Sequence, residues 1–346
     1  MFLFVVHNKT ITLPKSIRTV LQYLLMIALT VALLLLSLRG LTVGEGENKM
    51  DVIWDAWQKA NKTWLLLMAL VAFISHIIRA ERWRMLLVPS GNRVKLSNSF
   101  FSLMIGYLVN LAVPRGGEVS RCYNLYKLEG TPVEVSFGTV VVERIADVLC
   151  LLVVILIAFI AEWDKLMKFL GTLGIGAGNT TVRVPVWAII ALIGIAGMGV
   201  ALYLFRKNEK LLKIISGFKE GLLSVFRLEN KGLFVFYSLF IWFLYFLMSY
   251  CVIKAFDTTS HLGFSAVLAV FALGAIAMAA PLPGGTGSYH TIVPLGMVML
   301  YSLPKADAVA FVFIFHGWQT LTMIVGGVVS LIISYWLIRW KKQPTK

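Results

Sequence analysis

Charge is scarce in this sequence. Only 14% of its 346 residues are Asp, Glu, Lys or Arg, against roughly 25% in a soluble globular chain. With 59% hydrophobic residues and a mean hydropathy of +0.83, that shortage excludes a pair of soluble domains and places the chain among integral membrane proteins. Cysteine is also rare. Cys122, Cys150 and Cys251 lie far apart in or near apolar sequence, which fits neither a disulfide framework nor a zinc site and leaves them as small packing residues. No H-E-x-x-H, Walker A loop, G-x-S-x-G elbow or cysteine-histidine zinc spacing occurs, so no enzymatic activity, cofactor or metal is expected.

About 20 apolar residues in a helix cross the hydrocarbon core with every backbone group satisfied internally. Six runs meet that requirement: Val20 to Leu38, Thr63 to Ile78, Ser136 to Ile160, Val186 to Phe205, Leu233 to Ile253 and Ala308 to Ile338. The first has no small-x-small cleavage site and ends in Leu38-Arg39-Gly40, so it is expected to persist as a helix. Acidic residues are the scarcer sign, 17 against 32 Lys and Arg, for a net charge of +15. Such an excess could signal nucleic acid. Its distribution argues otherwise: most basic residues fall in the N-terminal segment, between Arg79 and Lys95, around Arg115, Arg121 and Lys127, between Arg206 and Lys231, and at the C-terminus. With both termini cytoplasmic these groups share one side of a cytoplasmic (inner) membrane, as the positive-inside rule requires.

Two further apolar segments are interrupted. Phe100 to Val113 runs into Pro114-Arg115-Gly116-Gly117-Glu118 and a polar stretch through Glu134. Phe264 to Ala280 meets Pro281-Leu282-Pro283-Gly284-Gly285-Thr286-Gly287 before apolar sequence resumes at Thr291. Such proline and glycine density stops a helix, and broken backbone at membrane depth is tolerated only inside protein or beside a water-filled cavity. Both segments are therefore read as re-entrant hairpins, over residues 99–134 and 263–304. They occupy matching places in two halves, about 17–161 and 185–340, of a single membrane domain spanning 1–346. Each half holds three spans, so the second is inverted relative to the first, an arrangement that points to a transport site near the midplane. The fold class is thus all-α and polytopic, with six spans, two re-entrant hairpins and an inverted repeat. Residues 208–229, basic with apolar residues at helical spacing, read as an amphipathic helix on the cytoplasmic leaflet.

Function is sought where charge interrupts apolar sequence. Glu143, Arg144 and Asp147 lie inside the third span; the carboxylates share a helix face, and Arg144 is placed to pair with Asp147. This cluster could simply pin helices together. Two carboxylates for one arginine, with Arg115, Glu118 and Arg121 on the hairpin of the same half, favour a transport or headgroup site instead. At the corresponding place in the second half, His316 and Gln319 are three apart on one face; His316 is either a packing residue or, beside a carboxylate, a proton-coupling group. The tips, Gly116-Gly117 and Pro283-Gly284-Gly285-x-Gly287, let backbone approach a ligand closely, and amides at a helix N-terminus attract anions. A phosphate headgroup suits them, with Arg115, Arg121 or Arg144 as counter-charge.

Four ordered blocks carry a family resemblance: Arg79-x-x-Arg82-Trp83-Arg84-x-Leu86-Leu87, Asn110-x-x-x-Pro114-Arg115-Gly116-Gly117-Glu118-x-x-Arg121, Val142-Glu143-Arg144-x-x-Asp147 and Pro283-Gly284-Gly285-x-Gly287. Together they resemble the lysylphosphatidylglycerol synthase transmembrane family, which includes the flippase half of the multiple peptide resistance factor. The resemblance implies a flippase-like domain that moves a lipid between leaflets. It also implies site roles for Arg115, Gly116, Gly117, Glu118, Arg121, Glu143, Arg144, Asp147, Pro283, Gly284, Gly285 and Gly287. The chain stops at Lys346 without a soluble aminoacyl-transferase domain, so lysyl transfer is not expected. It also carries Ser288-Tyr289-His290 where members often have an acidic residue.

The expected function is translocation of an anionic or zwitterionic phospholipid or lipid-linked intermediate by alternating access, with membrane lipid as partner and no nucleic acid. Two alternatives stand beside it: an accessory subunit presenting lipid to a separate synthase or glycosyltransferase, and an ion-coupled transporter of a small solute.

Overall fold

The computed structural model describes Leu35 and residues 49–113, 115–172, 209–280 and 282–341. Among the described residues the regular structure is entirely helical. The expected first and fourth spans, Val20 to Leu38 and Val186 to Phe205, lie outside them save for Leu35, as do the chain termini. Four helices are long and apolar enough to cross a membrane: α2 (Lys62–Leu87), α5 (Val133–Ala161), α8 (Lys231–Ala255) and α12 (Lys305–Lys341). Shorter helices fill in around them: α1 (Lys49–Lys59), α3 (Leu96–Ala112), α4 (Gly116–Glu129), α6 (Trp163–Thr172), α7 (Glu209–Leu223), α9 (Asp257–Ser260), α10 (Phe264–Met278) and α11 (Ser288–Tyr301).

Local chemistry sets the boundaries. Asn61 and Asn230 cap α2 and α8, their side-chain oxygens accepting from Thr63 N (3.0 Å) and Leu233 N (2.9 Å), which satisfies amides that a helix start leaves open. Gly130 ends α4 in the left-handed conformation at φ 77 and donates to Tyr126 O, the usual glycine stop. The second span is longer than expected, running past Ile78 to Leu87. Arg79 and Arg82 do not terminate it because both are buried in protein, 6% and 0% exposed, rather than facing lipid.

α2 and α8 pack side by side and antiparallel, since Asn61 N donates to Ala255 O at one end and Arg82 reaches Ser238 further along. Their shared core includes Leu65, Met68, Val71, Ala72, Leu244, Met248 and Val252. Each interrupted segment folds as a helical hairpin. α3 turns through Arg115 into α4, and the two pack closely enough that a Cβ on Gly117 would run into the Gly106 carbonyl. α10 turns through a 3-10 segment, Pro283–Gly285, into α11. The hairpin tips touch: Gly284 lies against the Leu111 side chain. α12 crosses behind the first hairpin, with Gly326 and Gly327 against Met104 and Leu108.

The segment read as an amphipathic surface helix is α7 followed by a 3-10 turn over Ser224–Arg227. It packs on protein through glycines. Gly221 approaches Gly138 and the Val135 carbonyl at the start of α5, and Gly217 meets Glu134.

Candidate functional site

Charged side chains from α2, α4 and α5 converge on one buried centre. Asp147 accepts from Arg79 Nη2 (3.0 Å) and from Arg82 Nη2 (2.7 Å). Glu143, fully buried, accepts from Arg121 Nη2 at 2.6 Å and has its other oxygen 3.5 Å from Arg82. That second contact is ionic only, because Glu143 Oε1 makes no hydrogen bond. The second half of the chain supplies uncharged support from α8: Arg79 Nη1 donates to Tyr245 OH (2.7 Å) and Arg82 Nη1 to Ser238 Oγ (3.2 Å). The Arg121 guanidinium also stacks over Trp83, 4.6 Å from the ring centroid, and Trp83 is fixed by donating Nε1–H to Thr139 Oγ1 (2.9 Å).

The expected Arg144–Asp147 pair is not formed. Arg144 pairs instead with Glu118 on α4 at 2.7 Å; it is Arg79 and Arg82 that neutralise Asp147. By apolar length alone those two arginines fall among the basic residues beyond the second span. The signal that places them inside was available: they are three apart on one helix face, with Ile77, Ile78, Leu86 and Leu87 around them. Three guanidinium groups, Arg79, Arg82 and Arg121, thus face two carboxylates, Glu143 and Asp147, leaving a net charge of +1 among the described residues. Their donors are not used up, since Nε of all three makes no hydrogen bond.

A small polar cleft adjoins this centre, lined by Tyr107, Asn110, Gly117, Glu118, Arg121 and Arg144. Its cavity volume is about 10 Å³, room for roughly one water and far too little for a headgroup. Tyr107 OH and Glu118 Oε2 are buried without a hydrogen-bond partner.

The glycine tips are occupied by the protein itself. Gly116 N donates to Val113 O (2.9 Å) and Gly117 N to Asn110 Oδ1 (2.8 Å), so these amides are spent within the hairpin and the glycines serve close packing. Arg115 is exposed and sits at φ 60, a left-handed conformation rare outside glycine. At the second tip Gly284, Gly285 and Gly287 all have positive φ, which is why glycine follows Pro283 there. Gly285 N donates to Leu282 O (3.0 Å) and Gly287 N to His290 Nδ1 (3.5 Å). His316 Nε2 bonds Gly284 O at 3.0 Å, and its ring lies 4.8 Å from that of His290 and 5.4 Å from that of Tyr289. The first tip and Glu143, Arg144 and Asp147 therefore form one polar region, whereas Pro283, Gly284, Gly285, Gly287 and His316 form a second, uncharged one. Gln319 is half-buried, and its hydrogen bond is a backbone one, Thr322 Oγ1 donating to its carbonyl (2.7 Å). Among the described residues no group of three or more His, Cys, Asp or Glu is arranged to hold a metal ion.

Helices long enough to span a membrane, packed around a buried ionic centre, define an all-α integral membrane protein. The chain belongs to the family described as lysylphosphatidylglycerol synthase TM region, whose model matches residues 20–327. It is 26% identical over 303 residues to UPF0104 membrane protein PH1989 of Pyrococcus horikoshii, covering 81% of this chain and 85% of that one. A shorter match, 31% identical over 101 residues, links it to UPF0104 membrane protein MJ1595 of Methanocaldococcus jannaschii, covering 28% of this chain and 30% of that protein. No solved structure matches.

Proposed function

We propose that this protein moves a phosphate-bearing lipid, anionic or zwitterionic, between the leaflets of the cytoplasmic membrane, without enzymatic activity of its own. The observation that carries this reading is the net positive charge of the buried centre. An uncompensated charge at membrane depth costs at least about 2.5 kcal/mol on insertion scales, and a phosphate diester would both neutralise it and use the open arginine donors. The two hairpins dip into the bilayer from opposite sides, as the re-entrant arms of an inverted repeat, and the termini are cytoplasmic. Antiparallel packing of α2 and α8, which hold matching places in the two halves, supports that symmetry. The tip-to-tip contact at Gly284 and Leu111 supports a meeting point near the midplane. The cleft is closed here, so transport requires one half to rock against the other and open it.

The test is reconstitution of the purified chain in vesicles containing labelled phosphatidylglycerol. Movement of label between leaflets by the protein alone is the expected result. Binding without movement would instead make it an accessory subunit that presents lipid to a separate enzyme, and uptake of a soluble solute with no lipid movement would overturn the lipid reading altogether.

A further inference from the structure

Arg144 is in an unusual place for an arginine. It lies about 17 Å along α5 from Val133, on a helix roughly 43 Å long at 1.5 Å per residue, and so near the middle of a candidate span. Its side chain is nevertheless 46% exposed. The neighbours on the same side of α5 are Ile145, Val148, Leu149 and Leu152, each more than half exposed, a surface suited to acyl chains. Intramembrane arginines normally turn inward to protein or water. Arg144 instead bridges from this apolar face to Glu118 on α4, whose side chain is only 17% exposed. The pair therefore closes the outer wall of the polar cleft. The cleft behind it is lined by Glu118 and Tyr107, whose Oε2 and OH are buried without hydrogen-bond partners, and by Asn110 and Arg121, the last of which belongs to the positively charged centre.

We infer that the Arg144–Glu118 ion pair is a lateral gate through which the phosphate of a membrane lipid enters the cleft sideways from the bilayer, between α4 and α5. Arg144 is the first cation such a phosphate meets. The phosphate replaces the Glu118 carboxylate on the guanidinium, and Glu118 is released toward the cleft, where its second oxygen has no hydrogen-bond partner. Lateral entry lets the acyl chains stay along Ile145, Val148 and Leu149 while only the headgroup is drawn inward. The inference rests on the lipid reading for its substrate and adds the door, the order of contacts and the residue that holds the door shut.

Retention of lipid through purification tests the gate separately from transport. The full chain in a phosphate-free maltoside detergent is mixed with dioleoylphosphatidylglycerol, dioleoylglycerol or soluble glycerol phosphate, and bound ligand is read by native mass spectrometry. Glu118→Gln, which loosens the door, should raise phosphatidylglycerol retention roughly tenfold, the effect of one charge-assisted hydrogen bond. Arg144→Gln should lower it by a similar factor, and dioleoylglycerol should respond to neither. The exchanged pair Glu118→Arg with Arg144→Glu separates a gate from a brace: a brace would recover everything, whereas the gate predicts wild-type melting with phosphatidylglycerol retention as low as in Arg144→Gln. Wild-type retention by the exchanged protein, no change in Glu118→Gln, or no retention by any variant would overturn the gate. So would glycerol phosphate binding as well as the whole lipid, because that would make the entrance aqueous. If the exchanged protein does not fold, the two single variants still decide. Retention that follows these charges without movement of lipid across vesicles would leave the gate standing and remove only the translocation reading.

Discussion

The first hairpin turns through Arg115 into a helix whose Arg121 reaches the ionic centre and whose Glu118 pairs with Arg144 beside it. The second turns through Gly284, Gly285 and Gly287 into Ser288, Tyr289 and His290, and no Asp, Glu, Lys or Arg occurs anywhere from Phe264 to Pro304. Both hairpins break a helix with proline and glycine, and both spend tip amides internally, at Gly116 and Gly117 and at Gly285 and Gly287. What differs is the partner set: the charged tip is tied to other helices by ion pairs, whereas at the uncharged one His316 bonds the Gly284 carbonyl and aromatic rings pack. Equal backbone devices can therefore carry unequal chemistry, charged in one half and uncharged in the other.

The comparison breaks most readily at Asp147. Its replacement by Ala leaves Arg79 and Arg82 buried without their shared carboxylate, and stability should fall by about 3–5 kcal/mol, read as a lowered melting temperature in detergent, together with loss of lipid movement. Next is Gly117→Ala, whose Cβ meets the Gly106 carbonyl and Asn110; because backbone cannot step aside, the charged hairpin should lose about 1–3 kcal/mol in the same melting assay. Arg144→Ala sharpens the distinction between centre and door. It should cost on the order of 1 kcal/mol, as for a partly exposed pair, while phosphatidylglycerol retention falls sharply; a loss as large as that of Asp147→Ala would place Arg144 inside the structural network. The smallest effect is expected at the uncharged tip. His316→Gln keeps a donor for the Gly284 carbonyl, so its stability should change by about 0.5 kcal/mol or less and its transport should keep the wild-type pH profile. A shifted profile would restore His316 as a proton-coupling group.

Much of this was legible in the chain. α5, α8 and α12 begin and end within about three residues of the apolar runs that announced them, because a helix that fills the hydrocarbon core needs only length and apolarity. The hairpin turns were legible for a similarly local reason: Pro and Gly act on their own backbone. Glu143, Arg144 and Asp147 also stood out as charges in apolar sequence, and Glu118 and Arg121 as charges on the hairpin of the same half. Tyr107, Ser238 and Tyr245 did not, since an uncharged polar residue in a helix announces nothing until its partner is known.

Sequence by itself determined that this protein is helical and membrane-embedded, where its helices are interrupted, and which half carries the charge. Those properties follow from composition and from backbone stereochemistry, which act over a turn or two of helix. Only the tertiary structure decided the pairing. Asp147 had an arginine three residues away and took two from α2 instead, while Arg144 turned outward to Glu118. Side chains on one helix are held to fixed directions, so adjacent charges often diverge, and the partners that satisfy them come from whichever helices packing brings alongside.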